Sequence, residues 1–281
     1  MTFKVPLFTI IVGPEGKEPG TNTMDAYLKE LFKRKDLLIY LVTSGLKAQY
    51  RNTFLGYLWW ILDPLLMGAV YYFLRVVVLG MEGEYIGAFL ITGLIAWHWI
   101  NSSLKGAASS ITGRSRIITQ VYLPKAIFPF GVNLTQTINF TFGLVVVAIF
   151  LAAYQIVPGS RVLWLPVIMA VQFIFLAGLS LAIAYLCMFI RDIDNVLAHV
   201  MRIWFWGTPV IWETGRLDEQ YHFIFDINPA AILLISYRNV LIYNAEPELG
   251  KLALIGALSV ILTLYMVRFY HLNEHKIIKA L

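Results

Sequence analysis

Val162 to Ile190 reads VLWLPVIMAVQFIFLAGLSLAIAYLCMFI, a run without a single Asp, Glu, Lys, Arg or His. A helix needs roughly 20 mostly apolar residues to cross the hydrocarbon core of a bilayer, so this run is long enough. Residues 85 to 104, 126 to 160 and 252 to 267 also lack Asp, Glu, Lys and Arg. The stretch 126 to 160 exceeds one straight span and includes a loop. Composition agrees: hydrophobic residues make up 59% and charged ones 14%, with mean hydropathy +0.70. Such a chain cannot build an ordinary wet surface, and its solvent is lipid.

The spacing predicts an all-α membrane protein with six spans, at about 57–80, 85–107, 127–154, 162–189, 195–212 and 250–270. An even number puts both ends on one side. With those ends in the cytoplasm, only Arg75, Arg161, Arg216, Arg238 and Lys251 of the 22 Lys and Arg residues fall outside. Cations gather on the cytoplasmic side of membrane proteins, which favours this orientation. The fifth span is the weakest, because Arg202 interrupts it. Between it and the sixth, residues 213–249 carry Pro229, several acids and apolar runs too short to cross, and read as re-entrant or interfacial helices on the outer face.

Residues 25–51 place Leu28, Leu31, Phe32, Leu38, Val42 and Leu46 at near-helical spacing among Lys29, Lys33, Arg34, Lys47 and Arg51. Two readings fit: an amphipathic helix in the inner interface, or an exposed helix packed on a partner. Residues 1–24, rich in Gly and Pro, read as a flexible cytoplasmic extension. The run Leu7 to Val12 is too short for a signal-peptide core, so insertion is expected to rely on the internal spans.

Motifs with catalytic spellings fail on context. His271, Glu274 and His275 spell H-x-x-E-H, but Lys276 to Leu281 offers no third ligand, and a solvated basic tail is the better reading. Asp192 and Asp194 form a D-x-D pair in a very short connection. It reads as structural, with Asp194 capping the next helix and either acid pairing with Arg191 or Arg202. Cys187 is the only cysteine, which excludes a disulfide framework. No phosphate-binding G-x-x-x-x-G-K-[ST] occurs, so no ATP site of that kind and no metal site are expected in this chain.

Polar groups inside spans are more telling. Asp63 precedes Pro64 in the first span and is placed near the inner interface, within reach of Lys47 or Arg51. His98 lies nearer the membrane centre, either facing a polar lumen or bonded to Asn101 or Ser102. Trp59, Trp60, Tyr71, Trp97 and Trp99 are interface anchors or the walls of a path for sugars, whose C–H faces stack on aromatic rings.

Four stretches together resemble a known family. Tyr50 to Leu66, YRNTFLGYLWWILDPLL, is similar to the start of the permeases of type-2 ABC exporters that serve O-antigen, capsule and teichoic acid export. Val121-Tyr122-Leu123-Pro124-Lys125 with Phe128-Pro129 resembles their inner loop before the third span, and Arg191-Asp192-Ile193 the loop after the fourth. Thr208-Pro209-Val210-Ile211, Asn228-Pro229 and Arg238 resemble an outer gate.

The resemblance implies a homodimer of six-span subunits in the cytoplasmic membrane, driven by two copies of a separate ATPase that binds ATP and Mg. Its cargo would be a lipid-linked polysaccharide, O-antigen foremost, and nucleic acid plays no part. Lys33, Arg34, Arg114, Arg116, Tyr122, Pro124 and Lys125 would then couple to the ATPase. Trp59, Trp60, Tyr71, Trp97, His98 and Trp99 would line the channel, and Pro209, Asn228, Pro229 and Arg238 would gate the exit. The rival readings are an ion-coupled transporter, which would show paired half-helices, and a membrane-embedded glycosyl or phosphoryl transferase using Asp192 and Asp194.

Overall fold

The computed structural model describes residues 27, 29, 31, 33–50, 54–80, 83–118, 123–190, 192–216 and 218–280. The expected extension 1–24, Tyr122 and Arg191 lie outside these residues, as do the side chains of Trp60 and Arg116. Among the described residues all regular structure is helical.

Around α3 (Ile86–Ala108) the other helices assemble: α2 (Trp59–Tyr72), α5 (Ile127–Ala153), α6 (Leu165–Phe189), α7 (Ile193–Trp206) and α9 (Pro229–Leu241) all pack on it. Every residue from Ile86 to Trp97 is buried. That surrounding explains its composition. Four segments, Ile61–Val78, Ile127–Ala153, Ser160–Phe189 and Leu249–Glu274, are long and apolar enough to cross a membrane. At 1.5 Å per residue α3 is also about 35 Å long, yet it carries His98, Asn101, Ser102, Ser103 and Lys105 because protein rather than lipid encloses most of it.

Helix α3 starts without a conventional cap. Tyr85 takes a left-handed φ of 59° and makes no side-chain cap bond; the Gly87 N–H instead donates to the Tyr154 hydroxyl at 3.2 Å. Glycine is required there, since a Cβ would sit 2.6 Å from that oxygen. Interhelical polar bonds pin the bundle: Asn133 of α5 donates to the Phe173 carbonyl of α6 at 3.0 Å, and Gln172 of α6 to the Ala96 carbonyl of α3 at 3.3 Å. Such bonds hold helices together where lipid supplies no hydrophobic contrast.

Pro64 sits inside α2 without ending it, and the helix runs on as a π-helical turn, Phe73–Val78. The wider turn leaves Arg75 as its one buried residue. Leu66, Met67 and Val70 of α2 and Val77 of the π-helical turn stay exposed, Leu66 and Met67 at the rim of a cavity.

Helix α7 has only 14 residues, about 21 Å, and is too short to cross a core of about 30 Å. The expected span 195–212 therefore stops at Trp206 and gives way to a turn from Gly207. The acids before α7 also sit differently from expectation. Asp192 occupies the N-cap position without a side-chain cap bond, and Asp194 lies inside the first turn. Beyond the turn, α8 (Phe223–Ile227) leads into α9, whose Ala230, Leu233, Tyr237 and Val240 are fully buried against α3 and α6.

At the other end, α1 (Lys35–Tyr50) lies along α5 with Leu41 and Val42 buried, while Lys35, Ile39, Tyr40 and Lys47 point outward. The remaining elements are α4 (Ser115–Ile118) and α10 (Leu249–Ala280), which is unbroken for 32 residues. The last turns of α10 are not a solvated tail. Tyr270, Glu274 and Ile277 are buried in a second core with Tyr27, Leu41, Leu123 and Phe128. Apolar positions recurring every three to four residues carry the helix onto this cluster.

Candidate functional site

Helices α2, α3, α5 and α7 enclose a cavity of about 800 Å³. Trp59, Tyr71, Trp97 and His98, all expected to line a channel, are on its wall. Trp99 borders it but is 1% exposed, its ring stacked on Phe140 at 4.6 Å, and so supports the wall from behind. His98 lies on the cavity wall while its Nε2 is 3.2 Å from the Ser102 hydroxyl.

Several lining residues were not among the channel candidates read from the sequence. Phe205 and Trp206 come from α7, where Phe205 meets Tyr71 at 5.7 Å and Trp97 at 5.5 Å. Asn101 and Lys105 extend the His98 face of α3, and Gln136 and Asn139 form a face of α5. The signal was present: polar residues three, four or seven apart in an apolar helix share one face. Asp63 is also here. It forms no ion pair with Lys47 among the described residues but joins His98, Lys105 and Arg202 on the cavity wall. Neither Asp192 nor Asp194 pairs with Arg202 among the described residues, and Arg202 lines the cavity instead.

The C-terminal end of α7 is clamped. Asn228, the N-cap of α9, accepts from Ala230 N–H at 3.1 Å and from the Trp204 indole at 2.8 Å, and donates to the Gly207 carbonyl and the Thr208 hydroxyl. Pro229 follows in the first turn, where its missing N–H costs nothing. Arg238, 3% exposed, donates to the carbonyls of Pro209 at 2.5 Å, Val210 at 2.6 Å and Phe89 at 3.2 Å. Arg75 adds a bond to the Ile211 carbonyl and an ion pair with Glu213. Four consecutive positions, Thr208 to Ile211, thus hang from three side chains, Asn228, Arg238 and Arg75.

At the opposite end of the bundle the coupling candidates separate. Lys33 is exposed and Arg34 half-buried. Arg114 donates to the Ser110 carbonyl at 3.2 Å, and burial pulls its guanidinium below the ordinary value. Pro124 is buried. Lys125 does not reach the surface at all: its ammonium lies 3.9 Å from Glu274, whose carboxylate also accepts the Lys125 backbone N–H at 3.3 Å. Burial lowers the Lys125 pKa, and Glu274 raises it part of the way back. The loop is thereby fastened to α10.

Comparison with known proteins follows this geometry. Residues 36–242 match the model of the ABC-2 type transporter family. The chain is 31% identical over 237 residues to the O-antigen export system permease protein RfbA of Myxococcus xanthus, covering 84% of this chain and 91% of that protein. A protein of the same name from Klebsiella pneumoniae is 27% identical over 247 residues, covering 88% and 95%. A second one from that organism is 30% identical over 206 residues, covering 73% and 80%. This chain belongs to the ABC-2 type transporter family.

Proposed function

We propose that this chain is the membrane-spanning subunit of an ATP-driven exporter that carries a lipid-linked O-antigen polysaccharide outward across the cytoplasmic membrane. The likeness over nine-tenths of the Myxococcus xanthus O-antigen permease carries the reading. The cavity adds a physical reason. A hydroxyl-rich chain cannot pass through lipid unaided, because each unsatisfied polar group costs several kcal/mol there. A cleft among helices with aromatic and amide side chains offers it another solvent.

Six crossings with both termini in the cytoplasm are part of this proposal, the fifth made by α7 together with the non-helical segment 207–212 that follows it, and the one-sided distribution of Lys and Arg supports it. A homodimer is another part, supported by the bare apolar face of α2 beside the cavity. Two copies of an ATPase, holding ATP and Mg, dock at Lys33, Arg34, Arg114 and Arg116, with Tyr122 and Pro124 in the same loop. Lys125 acts in this scheme by holding that loop on α10 rather than by touching the partner. The chain itself performs no catalysis. The segment from Pro209 to Arg238 gates the exit.

Deletion of the gene tests the reading: lipid-linked polymer should collect on the cytoplasmic side, and normal surface polymer would refute it.

A further inference from the structure

Two chemistries, aromatic rings and amides, share the cavity wall. Rings come from α2 and α7, Trp59, Tyr71 and Phe205, and also from α3 and α5, Trp97 and Phe140, whereas the amides, Asn101, Gln136 and Asn139, come from α3 and α5 alone. Amides deep in an apolar bundle are expensive unless they serve a partner. Asn133 and Gln172 show the structural use, since each donates to a carbonyl of a neighbouring helix and neither lines the cavity. The cavity amides differ. The Asn139 amide donates to Gln136 Oε1 at 2.9 Å, one turn away, so the two are held side by side at the cavity. An amide offers both donor and acceptor, which matches a hydroxyl in either of its roles.

Resting on the export reading above, we propose that Asn101, Gln136 and Asn139 are specificity-determining residues that read the hydroxyls of the sugar chain, while the rings of α2 and α7 bear its C–H faces. A ring chain with polar edges and apolar faces satisfies both sets. A purely apolar chain of the same girth offers these amides no hydroxyl, and a site built around polar partners rejects the analogue that lacks them.

The experiment replaces Asn101, Gln136 or Asn139 singly by Leu and measures export of the cell's own polymer in the intact transporter, normalised to the amount of folded permease in the membrane. Each hydrogen bond lost is worth about 1 kcal/mol, so export should slow by about fivefold. The swaps Gln136→Asn and Asn139→Gln should keep most of it. Gln136 is the most buried of the three. If its Leu variant fails to accumulate, Asn101→Leu and Asn139→Leu carry the test.

A second measurement separates reading from mere support. Polymer whose hydroxyls are largely capped by O-acetylation should lose little from the Leu variants. Export at the wild-type rate, or equal loss for free and acetylated polymer, overturns the inference. Failure of the export reading looks different: there, deleting the whole gene leaves surface polymer unchanged.

Discussion

The guanidinium of Arg238 stacks on the ring of Phe89, its Cζ 3.4 Å from the centroid, and reaches past it to the carbonyls of Pro209 and Val210. Arg75 approaches the same ring at 4.8 Å. Two cations on one aromatic side chain would repel, but Arg238 donates to the Pro209 and Val210 carbonyls and Arg75 to the Ile211 carbonyl and Glu213. This joint fixes α9, α3 and the turn after α7 to one another.

Arg238→Met should therefore unfold the joint. Hydrogen bonds to a charged group contribute about 1.5–3 kcal/mol each, so losing those to Pro209 and Val210 should cost at least about 3 kcal/mol. Arg238→Lys keeps the charge but not the fork and should recover only part. Tryptophan fluorescence during heating of the purified protein reads the difference as a lower Tm for both.

Gly93 faces the same joint. A Cβ there would overlap Arg238 Nη2 and lie 2.9 Å from the Val210 carbonyl oxygen, which is backbone and cannot step aside. Gly93→Ala should cost about 1–3 kcal/mol as overpacking. Gly250→Ala, with nothing within 4 Å, should be neutral or stabilise α10 by up to about 1 kcal/mol. Paired denaturation curves of the two variants check the contrast.

Asn228→Ala removes the cap of α9 and the partner of the Trp204 indole together. The cap alone is worth about 1 kcal/mol. Asn228→Asp keeps the acceptors but loses the donors to Gly207 and Thr208, and should fall between. Limited proteolysis should cut the 207–227 segment fastest in the Ala variant.

Lys125 and Glu274 form a buried pair. Removing one partner of such a pair costs about 3–5 kcal/mol, because the other charge stays buried. Lys125→Met alone should destabilise, and Lys125→Met with Glu274→Leu should recover most of the loss, as a double-mutant cycle would record. The pH dependence has a definite sign. Folded Lys125 gives up its proton below the ordinary 10.5, so stability rises as pH climbs from the lowered value towards 10.5. The double variant should lose that slope.

The face of α2 offers a test of assembly. Val70 is 61% exposed and Met67 56%, and in the proposed homodimer they meet a second copy. With the buried Cys187 changed to Ser, Met67→Cys or Val70→Cys should form an oxidant-dependent dimer on a gel. A cysteine at Ile261, on the exposed face of α10, should not.

What the sequence determined by itself was the solvent and the class of fold. Uninterrupted apolar runs such as Val162 to Ile190 admit only helices in lipid, and the placement of Lys and Arg suggests which way they run. Trp59, Tyr71, Trp97 and His98 were legible as candidates because aromatic and ionisable residues inside a span call for a reason.

The tertiary structure decided what each polar side chain meets, because that depends on contacts between distant positions. Asp63 faces His98 rather than Lys47, Lys125 is closed off by a carboxylate 149 residues away, and Arg238 finds carbonyls at 209 and 210. Helical period shows which residues share a face. Only packing shows whether that face meets lipid, a neighbouring helix or the cavity, since all three accept the same apolar spacing.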